Sequence, residues 1–159
     1  MPSAPQPLTP RSVRPSRPKR RFSLEQANST LPLVKRIVRD IVRTHSEVLK
    51  CQQQLEKSNT GRQQQRQQQR QQAAVQPTPQ ETQGQLERHM TRLEDYVEEL
   101  TEVGAELKDY QMGLIDFTGR HQGRDVYLCW KLGEERIGYF HEMNTGFAGR
   151  IPVSMLQED

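Results

Sequence analysis

The chain has 159 residues, 32% of them hydrophobic and 27% charged, with a formal net charge of +3 and two cysteines. That is apolar-poor for a globular protein and leaves material for one modest core. Cys51 and Cys129 have no CxxC spacing, which excludes a zinc ribbon or a disulfide framework, and no run approaches the roughly 18 apolar residues of a membrane span, so the expectation is a reduced, cytoplasmic protein.

Residues 1–21 carry six of the ten prolines, six basic residues and no acid, and read as a disordered basic tail without an apolar run of signal-peptide length. An Arg-rich arm of this kind can touch anionic polymers through charge alone, which makes weak nucleic-acid binding by residues 1–21 one reading of the chain. Order is expected to begin at "FSLEQANSTLP", where Ser23 and Gln26 form a capping-box pattern and Phe22 flanks it. The region 22–57 is predicted to hold a short helix over 24–29, a turn, and a long helix capped by Thr30, with Pro32 in its first turn and an apolar stripe from Leu31 through Val34, Ile37, Val38, Ile41 and Val48 to Leu55.

Residues 58–84, which include "RQQQRQQQRQQ" and the breaker "QPTPQ", read as a Gln/Arg-rich flexible linker. A second long helix is predicted over 85–111, because Leu86, Leu93, Leu100 and Leu107 recur every seven residues; with these at d positions, Met90, Val97 and Gly104 fall at a. Two amphipathic helices of this length can bury each other as an antiparallel hairpin, and the acid-rich second one suits the net-basic first. Parallel pairing of two copies is the alternative use of the same seam.

Residues 112–159 change character, since six of the nine aromatic residues lie between Phe117 and Phe147. "IDF", "GRDVYLCWKL" and "ERIGYFHE" read as strands, the last two joined across a Gly133-Glu134 turn and followed by the loop "NTGFAGRIP". The predicted fold is therefore α+β: a long, coiled-coil-like antiparallel helical hairpin, then a small antiparallel β-hairpin or three-stranded sheet.

The polar groups near the hairpin are Asp116, His121, Cys129, Glu134, His141 and Glu142. A turn centred between Gly133 and Glu134 opposes Val126 to His141 and Cys129 to Gly138. Alternation then puts Val126, Leu128, Trp130, Ile137, Tyr139 and His141 on one face, and Tyr127, Cys129, Lys131, Arg136, Gly138 and Phe140 on the other. In that register Cys129 and His141 cannot hold the same metal ion, unless a bulge reverses the phase. Cys129 reads as an inert buried thiol. The candidate binding residues are Asp116, His141, Glu142 and Arg150, the last from "TGFAGR", whose glycines and guanidinium can form an anion-binding concavity. No Walker A, GxGxxG after a strand, GxSxG, HExxH or EF-hand pattern occurs, and no cofactor is identified.

Three blocks, "FSLEQANSTLP" (22–32), "ELKDYQMGLIDF" (106–117) and "GRDVYLCWKLGEERIGYFHEMNTGFAGRIP" (123–152), resemble the recurring segments of an uncharacterised prokaryotic family, domain of unknown function 2203. The matching residues are Asp116 and Phe117, then Cys129, Trp130, Gly133, Glu134, His141, Glu142, Gly146, Phe147, Ala148, Gly149 and Arg150. The chain departs from the family in having Phe140 where Trp is frequent and Thr118 where Pro is frequent. The resemblance implies the architecture and no activity. Three functions follow from the sequence. The first is an interaction or assembly module that pairs with a second copy or another protein through the helix seam (Leu86, Leu93, Leu100, Leu107, Gly104), a reading that leans away from an enzyme without deciding it. The second is a small-molecule or metal site at the hairpin and the TGFAGR loop. The third is the nucleic-acid contact by the arm.

Overall fold

A computed structural model describes residues 20–60 and 77–158. The basic tail, apart from Arg20 and Arg21, and most of the Gln/Arg linker lie outside these residues. The first helix, α1 (Leu24–Thr60), starts where the capping box requires: the Gln26 amide donates to Ser23 Oγ and the Ser23 amide to Gln26 Oε1, each at 3.0 Å. Phe22 sits just outside it, buried, its ring edge-on to Phe117 at 5.1 Å and its amide donating to the Thr118 carbonyl at 2.8 Å.

The predicted turn at 30–32 is absent, and α1 runs through Pro32 as one helix of 37 residues. Thr30 does not cap a second helix; its hydroxyl donates to the Ala27 carbonyl at 2.7 Å. An interior proline costs about 3 kcal/mol, but Ala27, Leu31, Val34, Val38 and Ile41 form one uninterrupted stripe across it, all buried. Burial of each large aliphatic side chain is worth about 1.5–3 kcal/mol, so the stripe outweighs the lost hydrogen bond, and Pro32 itself faces solvent.

The second helix, α2 (Pro79–Val103), begins six residues earlier than the 85 expected and ends well before 111. "TPQE" is its start, not a breaker: Thr78 accepts from the Glu81 amide at 3.2 Å, Glu81 accepts from the Thr78 amide at 3.2 Å, and Pro79 occupies the first turn. Gly104 is not a seam residue but the left-handed C-cap, with φ 114°. A Cβ there would stand 2.5 Å from Phe22 Cζ, so the chain both turns and passes the Phe22 ring only as glycine. Leu107, the last member of the heptad, therefore falls in a strand. The two helices form an antiparallel hairpin: Val34, Ile37 and Ile41 share the main core with Leu100, while Val48 and Cys51 pack with Leu86 at the far end.

Five strands follow in a simple antiparallel meander: β1 (Ala105–Asp109), β2 (Leu114–His121), β3 (Arg124–Lys131), β4 (Tyr139–Glu142) and β5 (Ile151–Pro152). The sheet has two strands more than the sequence announced. β2 and β3 are joined by a two-residue turn at Gln122 (φ 52°) and Gly123 (φ 76°), the geometry a tight hairpin demands. Ile115, Phe117, Val126, Leu128, Trp130 and Phe140 point to one side and join the helices in the core. Among the described residues no helix is long and apolar enough to cross a membrane.

Candidate functional site

The opposite face of the sheet carries an unusual set of buried side chains. In β2 the alternation that sends Ile115 and Phe117 into the core turns Asp116 outward, and Asp116 pairs directly with Cys129 of β3. In β4 Phe140 opposes Leu128 on the core side, and His141 opposes Tyr127, which brings His141 onto the same outer face as Cys129. The expected register is thus off by one residue. Cys129 and His141 share a face; Tyr139 faces outward opposite Cys129, and Phe140 lies in the core with 1% of its surface exposed.

The shift has a physical cause. β3 and β4 are joined not by a two-residue turn but by the seven residues Leu132–Gly138. Glu134 organises them: its amide donates to the Lys131 carbonyl at 3.0 Å, its carboxylate accepts from the Lys131 amide at 2.8 Å, and its carbonyl accepts from the Trp130 indole at 3.0 Å. Ile137 then drops into the core, its amide donating to Asn28 Oδ1 of α1 at 2.9 Å. The loop is fastened to the helix, and the resulting one-residue shift in register exchanges the two faces of the strand.

Asp116, Cys129 and His141 each offer one donor atom, and these three atoms lie within 4.8 Å of one another. All three residues are buried, at 2%, 0% and 3% exposure. His141 Nδ1 is 2.8 Å from the Glu142 carbonyl, to which it must donate, since a carbonyl can only accept. Its other ring nitrogen, Nε2, lies 3.3 Å from Asp116 Oδ2, an ion pair when the imidazole is protonated. The other carboxylate oxygen, Oδ1, is buried with no hydrogen-bond partner among the described residues.

Burial raises the Asp116 carboxyl above the usual carboxylate range, against the opposing pull of His141, the Cys129 thiol and Lys108. Burial, helped by the Asp116 charge, pushes the Cys129 thiol up to about 12, although the Arg150 guanidinium beside it pulls the other way. Arg150 comes back to this face from the 146–150 loop, where Gly149 passes so close to Thr145 that a Cβ would stand 2.5 Å from its Oγ1. The guanidinium lies 4.4 Å from the Tyr139 ring centre and 4.6 Å from that of Phe147, and Nη2 donates to Glu134 Oε1 at 2.7 Å. Tyr127, with Lys108 Nζ 4.9 Å from its ring centre, packs against His141.

The structure brings together Asp116 and His141 as candidates and sets Arg150 beside Cys129. It does not bring in the Glu142 carboxylate, which pairs with Arg124 at 3.0 Å; Glu142 serves through its carbonyl. His121 is elsewhere, accepting from the Gln157 amide and lying against Phe140. Cys129 is the member that sequence reasoning set aside, and a connection centred on Glu134 was the signal that restores it.

These features define a class: a small α+β protein in which a helical hairpin covers one face of an antiparallel meander and the other face holds a buried Asp–Cys–His cluster. The chain belongs to the family Uncharacterized conserved protein (DUF2203), whose match covers residues 20–153. No curated protein and no solved structure matches it.

Proposed function

We propose that the protein binds one transition-metal ion of the zinc class through Asp116, Cys129 and His141. The observation that carries this reading is the convergence of three ligand atoms, from Asp116, Cys129 and His141, within 4.8 Å of one another in a buried site, beside a carboxylate oxygen with no hydrogen-bond partner. A buried carboxylate oxygen without a donor is a cost that a bound cation would remove. A histidine that gives one ring N–H to a backbone carbonyl and turns its other nitrogen toward the cluster is oriented as metal-binding imidazoles are.

The donor set selects the ion. Sulfur, imidazole nitrogen and one carboxylate oxygen suit zinc and its neighbours, and disfavour calcium and magnesium, which take oxygen. Bonds of 2.0–2.3 Å in a tetrahedron put ligand atoms roughly 3.3–3.8 Å apart, so the cluster needs only a small inward rotation of side chains from its present spread of 4.8 Å. Three protein ligands leave one position open. A thiol nucleophile is the poorer reading, because Cys129 has no exposed surface and its proton is held up to about 12.

Self-association through the helix seam has less to draw on than the heptad leucines promised. Leu86 and Leu100 are buried against α1, Leu93 is half-buried between the two clusters, and Leu107 lies in β1.

The test is native mass spectrometry and metal analysis of the full chain after exposure to zinc. One zinc per chain is expected, lost together in Cys129→Ser, His141→Ala and Asp116→Asn. Zinc bound equally well by all three folded variants would refute the proposal.

A further inference from the structure

Besides Asp116 Oδ1, one other buried side-chain atom among the described residues lacks a hydrogen-bond partner, and it is a donor on the other side of Cys129: Arg150 Nε. Its guanidinium is fixed from three directions, by the rings of Tyr139 and Phe147 and by Glu134, which takes Nη2 and leaves Nε. Tyr139, on which it rests, is the cross-strand partner of Cys129. An orphan acceptor and an orphan donor thus flank one sulfur. The thiol between them interacts with both but is a weak partner for either.

A divalent ion at Asp116, Cys129 and His141, its charge balanced by the carboxylate and the thiolate, satisfies the acceptor but leaves the Arg150 N–H without a strong acceptor. We infer that the open coordination position takes an oxygen of a small oxyanion, a carboxylate or phosphate group, whose second oxygen accepts from Arg150 Nε. This inference rests on the metal reading above and adds the class of ligand the metal presents to. The geometry favours a small group: Glu134 already occupies Nη2, so a single N–H remains on that edge of the fork. Tyr139 and Phe147, both partly exposed, would sandwich the arginine beside the incoming group and keep water from its far side.

The experiment uses the full chain loaded with cobalt(II), whose visible absorption reports its coordination. Sodium acetate and inorganic phosphate are titrated in separately at constant ionic strength. A saturable spectral change is expected with at least one of them, and which one responds distinguishes carboxylate from phosphate. In Arg150→Gln the anion should bind about ten- to a hundredfold more weakly, the weight of one charge-assisted hydrogen bond, while the chain still takes one cobalt. Arg150→Lys should fall between. Glu134→Gln should shift anion affinity the other way, because it releases Nη2 and removes a competing negative charge; damage to the fold would not produce that opposite sign. Cobalt bound with no saturable response to either anion overturns this inference alone, as does an equal response in Arg150→Gln. A chain that takes no cobalt overturns the metal reading as well.

Discussion

The state of the Cys129 proton gives a quantitative handle on the site. The fold moves the thiol from an ordinary value of 9.0 up to about 12, three units that correspond to about 4 kcal/mol of added cost for making the thiolate. A zinc ion must displace that proton, so between about pH 7 and pH 9 its affinity should rise about tenfold per pH unit. The same shift acts on the metal-free protein. A folded pKa above the unfolded one means that the stabilisation is complete below the ordinary thiol value and is lost as the pH climbs from there towards 12. The metal-free chain should thus lose up to about 4 kcal/mol across that alkaline window, and Cys129→Ser should not show this loss. Calorimetric zinc titrations in buffers of different ionisation heat count the protons released, and urea unfolding at several alkaline pH values reads the stability arm. Zinc affinity that is independent of pH, or an unchanged affinity in Cys129→Ser, would refute the reasoning.

The neighbouring carboxyl gives a second consequence. Burial raises Asp116, so its protonated form carries stability that is present below the ordinary carboxylate range and lost as the pH rises through the raised value. Asp116→Asn, whose amide can donate to His141 Nε2, is therefore expected to raise the melting temperature of the metal-free protein at neutral pH and to abolish the further rise that zinc brings. Gly104→Ala should destabilise by about 1–3 kcal/mol or more, because φ is 114° and the new Cβ meets Phe22 Cζ at 2.5 Å; a change within error in urea unfolding would contradict this. Thr78→Ala removes the side-chain acceptor of the α2 cap and should cost about 1 kcal/mol, with protection of the first amides of α2 reduced in hydrogen exchange.

Much of the fold could be read because its signals are local. Ser23 and Gln26 announce α1, the stripe at Ala27, Leu31, Val34, Val38 and Ile41 gives its buried face, and apolar alternation marks β3. The failures came where a local signal met a longer-range one. Leu107 keeps the heptad rhythm past Gly104, but the glycine stops the helix, and the residues after it form β1. Pro32 was given the power to reset the helix, yet the core stripe on both sides of it holds the helix straight through.

The site was legible in its members and not in its assembly. Asp116, Cys129 and His141 come from three consecutive strands, so whether they meet depends on the parity of two registers. The β2–β3 register is set by a two-residue turn, and Asp116 opposite Cys129 follows from Gln122-Gly123 alone. The β3–β4 register pairs Cys129 with Tyr139 and Val126 with Glu142, so its axis falls on Glu134. Centring the turn between Gly133 and Glu134 differs by half a residue and sends His141 to the core side. What fixes the true centre is the set of local Glu134 bonds to Lys131 and Trp130 together with one tertiary bond, the Ile137 amide on Asn28 of α1. Glu134 also holds Arg150 over the outer face. One residue of the loop therefore decides which side chains face the site and where the guanidinium that flanks it stands, and neither effect is visible until the loop is packed against the helix.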